Sequence, residues 1–202
     1  MFIQVIQGKT TDRAEVKASM DRWVAELAPG ATGWLGTTAG VTADGTLIAC
    51  ARFESAEAAK ANSDRAEQHQ WWMETSKLFA GEAVFHDCME SFEFLRGGSD
   101  DAGFVQVMQG QVTDAARIRE LMSQGEDSLR QMRPDVIGGT IAFHGDDGGF
   151  TEPVYFTSEA AAREGESQEA PPEATAMMEE MGRLMPVTAY LDLSEPWLFS
   201  PR

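Results

Sequence analysis

The sequence predicts an α+β chain made of two copies of one βαββαβ unit. Three observations carry this reading: an internal repeat, an alternation of strand-like and helix-like periodicity within each copy, and a polar, glycine-rich stretch between the copies. Residues 2–12 read FIQVIQGKTTD and residues 104–114 read FVQVMQGQVTD. Without a gap, Phe2, Gln4, Val5, Gln7, Gly8, Thr11 and Asp12 recur as Phe104, Gln106, Val107, Gln109, Gly110, Thr113 and Asp114. The match continues with small shifts. Gly36-Thr37 pairs with Gly139-Thr140, Asp44-Gly45 with Asp147-Gly148, and Arg52-Phe53-Glu54-Ser55 with Tyr155-Phe156-Thr157-Ser158. A period near 102 residues is too long for a solenoid and marks a duplicated domain. The expected boundaries are 1–97 for the first copy, 98–102 for the linker around Gly98-Ser99-Asp100-Asp101, and 103–202 for the second copy.

Each element follows in order. Residues 2–7 are apolar and strand-like. Asp12 and Asp114 stand where an N-cap belongs, ready to accept backbone N–H bonds at a helix start. Val16, Met20, Trp23, Val24 and Leu27 keep the helical period, and Pro29-Gly30 ends it. Residues 33–42 and 46–53 form a hairpin about Ala43-Asp44-Gly45. Ser55 caps a second helix, which breaks near Asn62-Ser63-Asp64 and resumes through Trp71, Trp72, Thr75, Leu78 and Phe79. Residues 83–95 read as one long last strand. The second copy repeats this, with Pro171-Pro172 as a firmer helix break, because proline lacks the N–H and clashes with the preceding turn. Four strands with two helices on one face is the split βαβ, ferredoxin-like plan. Its bare sheet face is apolar and must be buried, and two copies in one chain can bury each other there.

Composition excludes several classes. The 202-residue chain has a formal net charge of −17, split as −6 over residues 1–100 (nine basic, fifteen acidic) and −11 over residues 101–202 (seven basic, eighteen acidic). Nucleic acid and anionic membrane surfaces are therefore not expected partners, since both need basic patches. No apolar run approaches the roughly 20 residues of a membrane helix, and the start Met1-Phe2-Ile3-Gln4-Val5 has no basic n-region, so a cytoplasmic protein is expected. Cys50 and Cys88 are too few for a disulfide framework or a four-ligand zinc site and read as small core residues. HxH, HExxH and CxxC spacings, a GxGxxG after a strand, a P-loop and a GxSxG elbow are all missing, so a dedicated metal or nucleotide site is not expected.

The opening strand FIQVIQG, the hairpin into a strand ending ARFES, the helix beginning SAEAAKANSDRAEQHQWW and the long last strand resemble the dimeric α+β barrel superfamily. Within it the likeness is to the antibiotic-biosynthesis-monooxygenase-like domains, over nearly all of both halves. The resemblance implies two ferredoxin-like repeats packed sheet to sheet as a pseudo-symmetric barrel, made within a single chain as monomer or homodimer. It implies a ligand held between sheet and helices. The activities it implies are diverse: cofactor-independent oxygenation of polycyclic aromatics, haem degradation, and isomerase- or cyclase-type reactions. Fold alone does not choose among them.

Gln4 and Gln106 are the most informative candidates. A buried amide in an apolar strand must be hydrogen-bonded or it costs on the order of 1–3 kcal/mol. Either each is aimed at a ligand, or the two amides bond to each other across the barrel. By resemblance to haem-degrading relatives, Gln4 lies near a first-strand asparagine that meets the ligand, and His69 lies near the histidine that binds iron. By resemblance to the polycyclic-oxidising monooxygenases, Asn62 would hold a substrate carbonyl, and Trp71 or Trp72 would pack on the rings. The bland readings are a solvent-facing His69 in the run Glu67–Gln70, and tryptophans that fill the core. His86 alternates with Val84 and Cys88 and either points inward or sits at a rim. In the second copy Gly165 falls opposite Asn62 and Pro172 opposite His69, so the first copy is the expected working half. Met177, Met178, Met181 and Met185 crowd one helix as core filling or a soft pocket. The tail Pro196-Trp197-Leu198-Phe199 packs across the fold or covers a pocket.

The expected function is a monooxygenase-like small-molecule enzyme acting on an aromatic or polyketide-like substrate without flavin, metal or other cofactor. Gln4, Asn62 and Trp72 are the expected catalytic residues, with Trp71, His69, His86 and Gln106 contacting a small apolar or aromatic substrate. The alternatives are a haem-binding or haem-degrading protein, and a non-catalytic ligand-binding or structural barrel.

Overall fold

The computed structural model describes residues 1–201 and divides them into two compact units. The chain begins with β1 (Phe2–Lys9), α1 (Arg13–Arg22), β2 (Trp34–Val41), β3 (Thr46–Phe53), α2 (Ala56–Ser63), α3 (Ala66–Thr75) and β4 (Val84–Cys88). It continues with β5 (Glu90–Leu95), β6 (Phe104–Gln111), α4 (Ala115–Met132), β7 (Val136–Phe143), β8 (Gly149–Phe156), α5 (Glu159–Glu166), α6 (Pro172–Leu184) and β9 (Val187–Leu193), and ends with β10 (Trp197–Phe199). The first unit holds residues 1–90 and the segment from Trp197, and the second holds Ser91–Pro196.

Each unit is an α+β layer with a five-stranded sheet, in the orders β10-β2-β3-β1-β4 and β5-β7-β8-β6-β9. The four-stranded expectation changes for a local reason. The stretch 83–95 is two strands, parted at Met89, which is exposed. β4 runs antiparallel to β1 with Ile3 opposite Cys88. β1 begins at Phe2, so past Cys88 the strand runs out of ladder partners, and β5 joins the sheet of the second unit. The C-terminal strand does the reverse, with Trp197 opposite Ala39 on β2.

The helix starts follow their sequence signals. Asp12 accepts from the Glu15 N–H at 2.9 Å, Asp114 from Arg117 at 2.9 Å, Ser55 from Ala58 at 3.2 Å and Ser158 from Ala161 at 3.2 Å. The matching caps in both copies show that the repeat extends to hydrogen-bond detail. The copies differ after the first helical turns. α4 is a regular helix of 18 residues, whereas α1 gives way to a π-helical stretch at Trp23–Leu27, where the Ala28 N–H reaches the Trp23 carbonyl. No helix among the described residues is long and apolar enough to cross a membrane.

In the first unit the helix-covered sheet face carries Phe2, Gln4 and Ile6 on β1, opposite Phe53, Ala51 and Ala49 on β3. The other face carries Ile3, Val5, Ile48 and Cys50, all buried. Burial pushes the Cys50 thiol up to about 12, so it stays a thiol and serves as an apolar core group. In the second unit Phe94, Phe104, Phe150, Phe156, Ile118 and Met185 belong to one dense cluster. Gly139 is essential to it, because a Cβ there would lie 2.1 Å from the Phe94 ring. Replacing Gly139 by Ala is expected to lower stability by roughly 1–3 kcal/mol through overpacking. Urea unfolding would show this as a lower midpoint at unchanged slope, and an unchanged midpoint would contradict the packing described.

Candidate functional site

The first unit contains an apolar cavity between its sheet and its helices. It encloses about 740 Å³ of space, counting the part that opens to solvent. Its floor is the middle of the sheet, where Ala49 and Ala51 are too small to fill the space beneath the helices. Its walls include four indoles, of Trp23, Trp34, Trp71 and Trp72. They form a chain of ring contacts: Trp34 edge-on to Trp23 with centroids 5.1 Å apart, Trp23 to Trp71 at 6.3 Å, Trp71 to Trp72 at 6.2 Å, and Trp72 edge-on to Phe85 at 5.2 Å. Offset and edge-to-face contacts are the favoured geometry for such rings.

The polar lining groups are each held at one end. Asn62, only 6% exposed, accepts at Oδ1 from the Arg65 Nη1 at 2.9 Å. Arg65 also donates to the Leu27 carbonyl at 3.0 Å, so it ties the end of the π-helical stretch to the end of α2. Gln68 accepts at Oε1 from the Trp23 indole N–H at 2.6 Å. Gln4 donates from Nε2 to Asp87 Oδ1 at 2.9 Å. Thr37 accepts from the Trp34 indole N–H at 3.0 Å. With those ends occupied, the amide N–H groups of Asn62 and Gln68 and the carbonyl oxygen of Gln4 have no further partner among the described residues. The Trp72 indole N–H has no partner among the described residues. The cavity therefore offers several donors and one strong acceptor inside an aromatic shell. None of its lining side chains ionises near neutral pH.

Four of the expected site residues meet here: Gln4, Asn62, Trp71 and Trp72 all line the cavity. Trp71 is buried, with its N–H on the Ser19 carbonyl at 3.0 Å, while Trp72 is half-buried. His69 lies on α3 but is exposed and outside the lining. His86 stands opposite Val5 on β4. Directly opposed residues share a sheet face, so His86 belongs to the face away from the cavity. Gln106 sits in the second unit, 7% exposed, and donates from Nε2 to Asp192 Oδ1 at 3.0 Å. Gln4 and Gln106 each pair with the aspartate directly opposite on the next strand, Asp87 or Asp192, because such side chains project from one face within reach of each other.

Sequence reasoning missed Gln68, Thr37, Trp23 and Trp34 as lining groups. A usable signal lay in the repeat: Trp23 and Trp34 fall opposite Gly125 and Val136. The second copy also replaces the floor. Ala49 and Ala51 correspond to Glu152 and Val154, which stand opposite Met108 and Gln106. Glu152 is buried, and burial alone pushes its carboxyl up to about 8.

No family model and no curated protein matches the chain. Solved structures do. A candidate monooxygenase from Lactobacillus acidophilus superposes with a TM-score of 0.69 at 13% identity, covering 98% of this chain and 92% of that one. A candidate monooxygenase from Fusobacterium nucleatum gives 0.69 at 8% identity, covering 98% and 91%. An anthrone oxidase-like protein gives 0.62 at 14% identity, covering 98% and 90%. The chain has the monooxygenase-like ferredoxin fold. At these identities the likeness establishes the architecture, and in the monooxygenase-like fold of this chain the cavity lies in the first unit.

Two outcomes test this site description. Gln68→Leu strands the Trp23 indole N–H and is expected to cost about 1–3 kcal/mol. Gln68→Glu keeps an acceptor and should recover most of that loss in denaturant unfolding. Glu152 governs a pH dependence. Its folded pKa of about 8 lies above the ordinary 4.5, so the unfolded chain loses this proton first. Its stabilising contribution is complete below about 4.5 and is lost as pH rises towards about 8, by a few kcal/mol. Glu152→Gln should flatten that part of the stability–pH curve.

Proposed function

We propose that the cavity of the first unit binds a flat, hydroxylated aromatic or polyketide-like molecule and promotes its monooxygenation by molecular oxygen. The observation that carries this reading is the fixed donor set, Asn62 and Gln68 amide N–H groups, inside an aromatic-walled cavity. Such donors stabilise an oxyanion that develops on a bound phenol or enol, and they do so without reorganising. The Trp72 and Trp71 rings stack on the substrate, and the Gln4 carbonyl accepts from a substrate hydroxyl.

The lining lacks a group to act as base near neutral pH, so the acidity resides in the substrate. An activated ring methylene flanked by carbonyl and aryl groups has that acidity. It gives one proton to solvent water, its carbanion gives electrons to O₂, one oxygen becomes a new C=O, and the other leaves as water, taking up that proton and the second methylene hydrogen. The two C–H bonds supply all four electrons, so CH₂ and O₂ balance with C=O and H₂O. The names of the neighbours agree with this chemistry: two candidate monooxygenases and an anthrone oxidase-like protein. Haem ligation through His69 draws no support from the geometry, because that side chain is exposed and outside the cavity.

The test uses 1,8-dihydroxyanthrone in aerated buffer, following quinone absorbance and oxygen uptake together. The protein should accelerate both, and Asn62→Ala should lower the rate by about 10²-fold, as loss of an oxyanion donor does. A rate equal to buffer, with no quenching of the cavity tryptophans by the probe, would end this reading.

A further inference from the structure

The hairpin between β7 and β8 departs from its counterpart in the first copy at several positions that meet in space. In the first copy Thr42 and Thr46 close the turn, and Lys9 reaches Asp44 at 2.6 Å, one cation for one carboxylate. In the second copy His144 takes the place of Thr42 and Gly149 that of Thr46. The turn gains one residue and holds two carboxylates, Asp146 and Asp147, while Gln111 stands in the place of Lys9. The buried Ile48 becomes the buried Thr151.

These changes assemble one cluster. His144, Asp146 and Asp147 each present a ligand atom, and the three atoms lie within 4.8 Å of one another. The imidazole is fixed in place. Its side chain is 5% exposed, and its Nε2 lies 2.8 Å from the hydroxyl of Thr151, which also accepts from the Gln109 amide at 3.0 Å. That contact turns Nδ1 towards the carboxylates, 3.2 Å from Asp147 Oδ1. Two ligands each about 2.1 Å from one zinc ion stand about 3.0–3.4 Å apart, so the spacing of this pair already suits a shared cation. The Gly149 N–H donates to the same carboxylate oxygen at 2.8 Å and orients it. Gly149 also keeps the space beside the pair open, because a Cβ there would lie 2.8 Å from His144 Nδ1 and 2.8 Å from Asp147 Oδ1.

From this geometry we infer that the second unit binds a divalent transition-metal ion of the zinc class at His144 Nδ1, Asp146 and Asp147. An imidazole nitrogen with carboxylate oxygens suits zinc, whereas calcium and magnesium take oxygen ligands. Two carboxylates and a neutral imidazole balance a charge of two, as Asp44 balances Lys9 in the first copy. With Nδ1 on the metal, Nε2 carries the ring proton and donates to Thr151, the kind of outer bond that orients ligating histidines. Three protein ligands leave a position for water. Asp146 and Asp147 are exposed, so the ion enters from solvent. The run His144-Gly145-Asp146-Asp147 has neither HxH nor HExxH spacing, and it is the turn that gathers the ligands. The ion clasps the hairpin, and the site is independent of the cavity in the first unit and of the reaction proposed there.

The test is titration of the full chain, treated with EDTA and dialysed, with zinc chloride, followed by calorimetry and by nitrogen NMR of the imidazoles. One zinc ion should bind per chain, and the His144 Nδ1 resonance should move with it while Nε2 stays protonated. Urea unfolding should show a higher midpoint with zinc than with EDTA. Asp146→Asn, at an exposed position, should weaken binding by more than about tenfold, since even changes beyond the ligands cost that much. Gly149→Ala removes no ligand but fills the space beside them, and should weaken binding as strongly. His69→Ala and Asn62→Ala should leave it unchanged. No zinc binding, a His144 resonance unmoved by zinc, or undiminished binding in Asp146→Asn or Gly149→Ala would each overturn the inference.

Discussion

The cavity exists because β3 places Ala49 and Ala51 where the overlying helices need bulk. A sheet and the helices covering it stay close-packed only if side chains fill the layer between them. In the first unit the filling comes from the rim, where Trp23, Trp34, Trp71 and Trp72 lean on one another. Rings of that size cannot collapse onto two methyl groups, so a space remains. The second unit solves the same layer with phenylalanines, from Phe94 on β5 to Phe150 and Phe156 on β8.

Within that space, polarity is set by what each amide has already given away. An asparagine or glutamine can turn either end to a ligand, but Arg65, Trp23 and Asp87 each hold one end fast. Arg65 matters most, since it joins the π-helical stretch, α2 and the start of α3 through a single guanidinium. The π-helical winding is the sort of local irregularity that functional sites tolerate, and it brings Trp23 and Leu27 into the wall cluster.

Much of this was legible from sequence. The repeat, the four caps, the hairpins and the break at Asn62–Asp64 were all carried by local chemistry. Gln4 drew attention as an amide on an otherwise apolar strand, and Asn62, Trp71 and Trp72 through the family resemblance; all four line the cavity. What escaped depended on pairing at a distance. Nothing local marks Met89 as the point where a strand leaves one sheet for another, because the ladder partner that runs out lies at the other end of the copy. Gln68 was hidden in a polar helical run, and its role appears only with Trp23 across from it. His86 alternated correctly, but alternation alone does not say which face is covered by helices.

The chain passes between its units twice, after Glu90 and before Trp197. Each unit therefore borrows an edge strand from the end of the other sequence copy. A gene fragment ending in the Gly98–Asp101 stretch would encode a first unit with an unprotected edge at β2 and would carry away β5, the edge of its neighbour. Neither copy can be discarded once the exchange is made, so selection for one retains the other whatever its own chemistry.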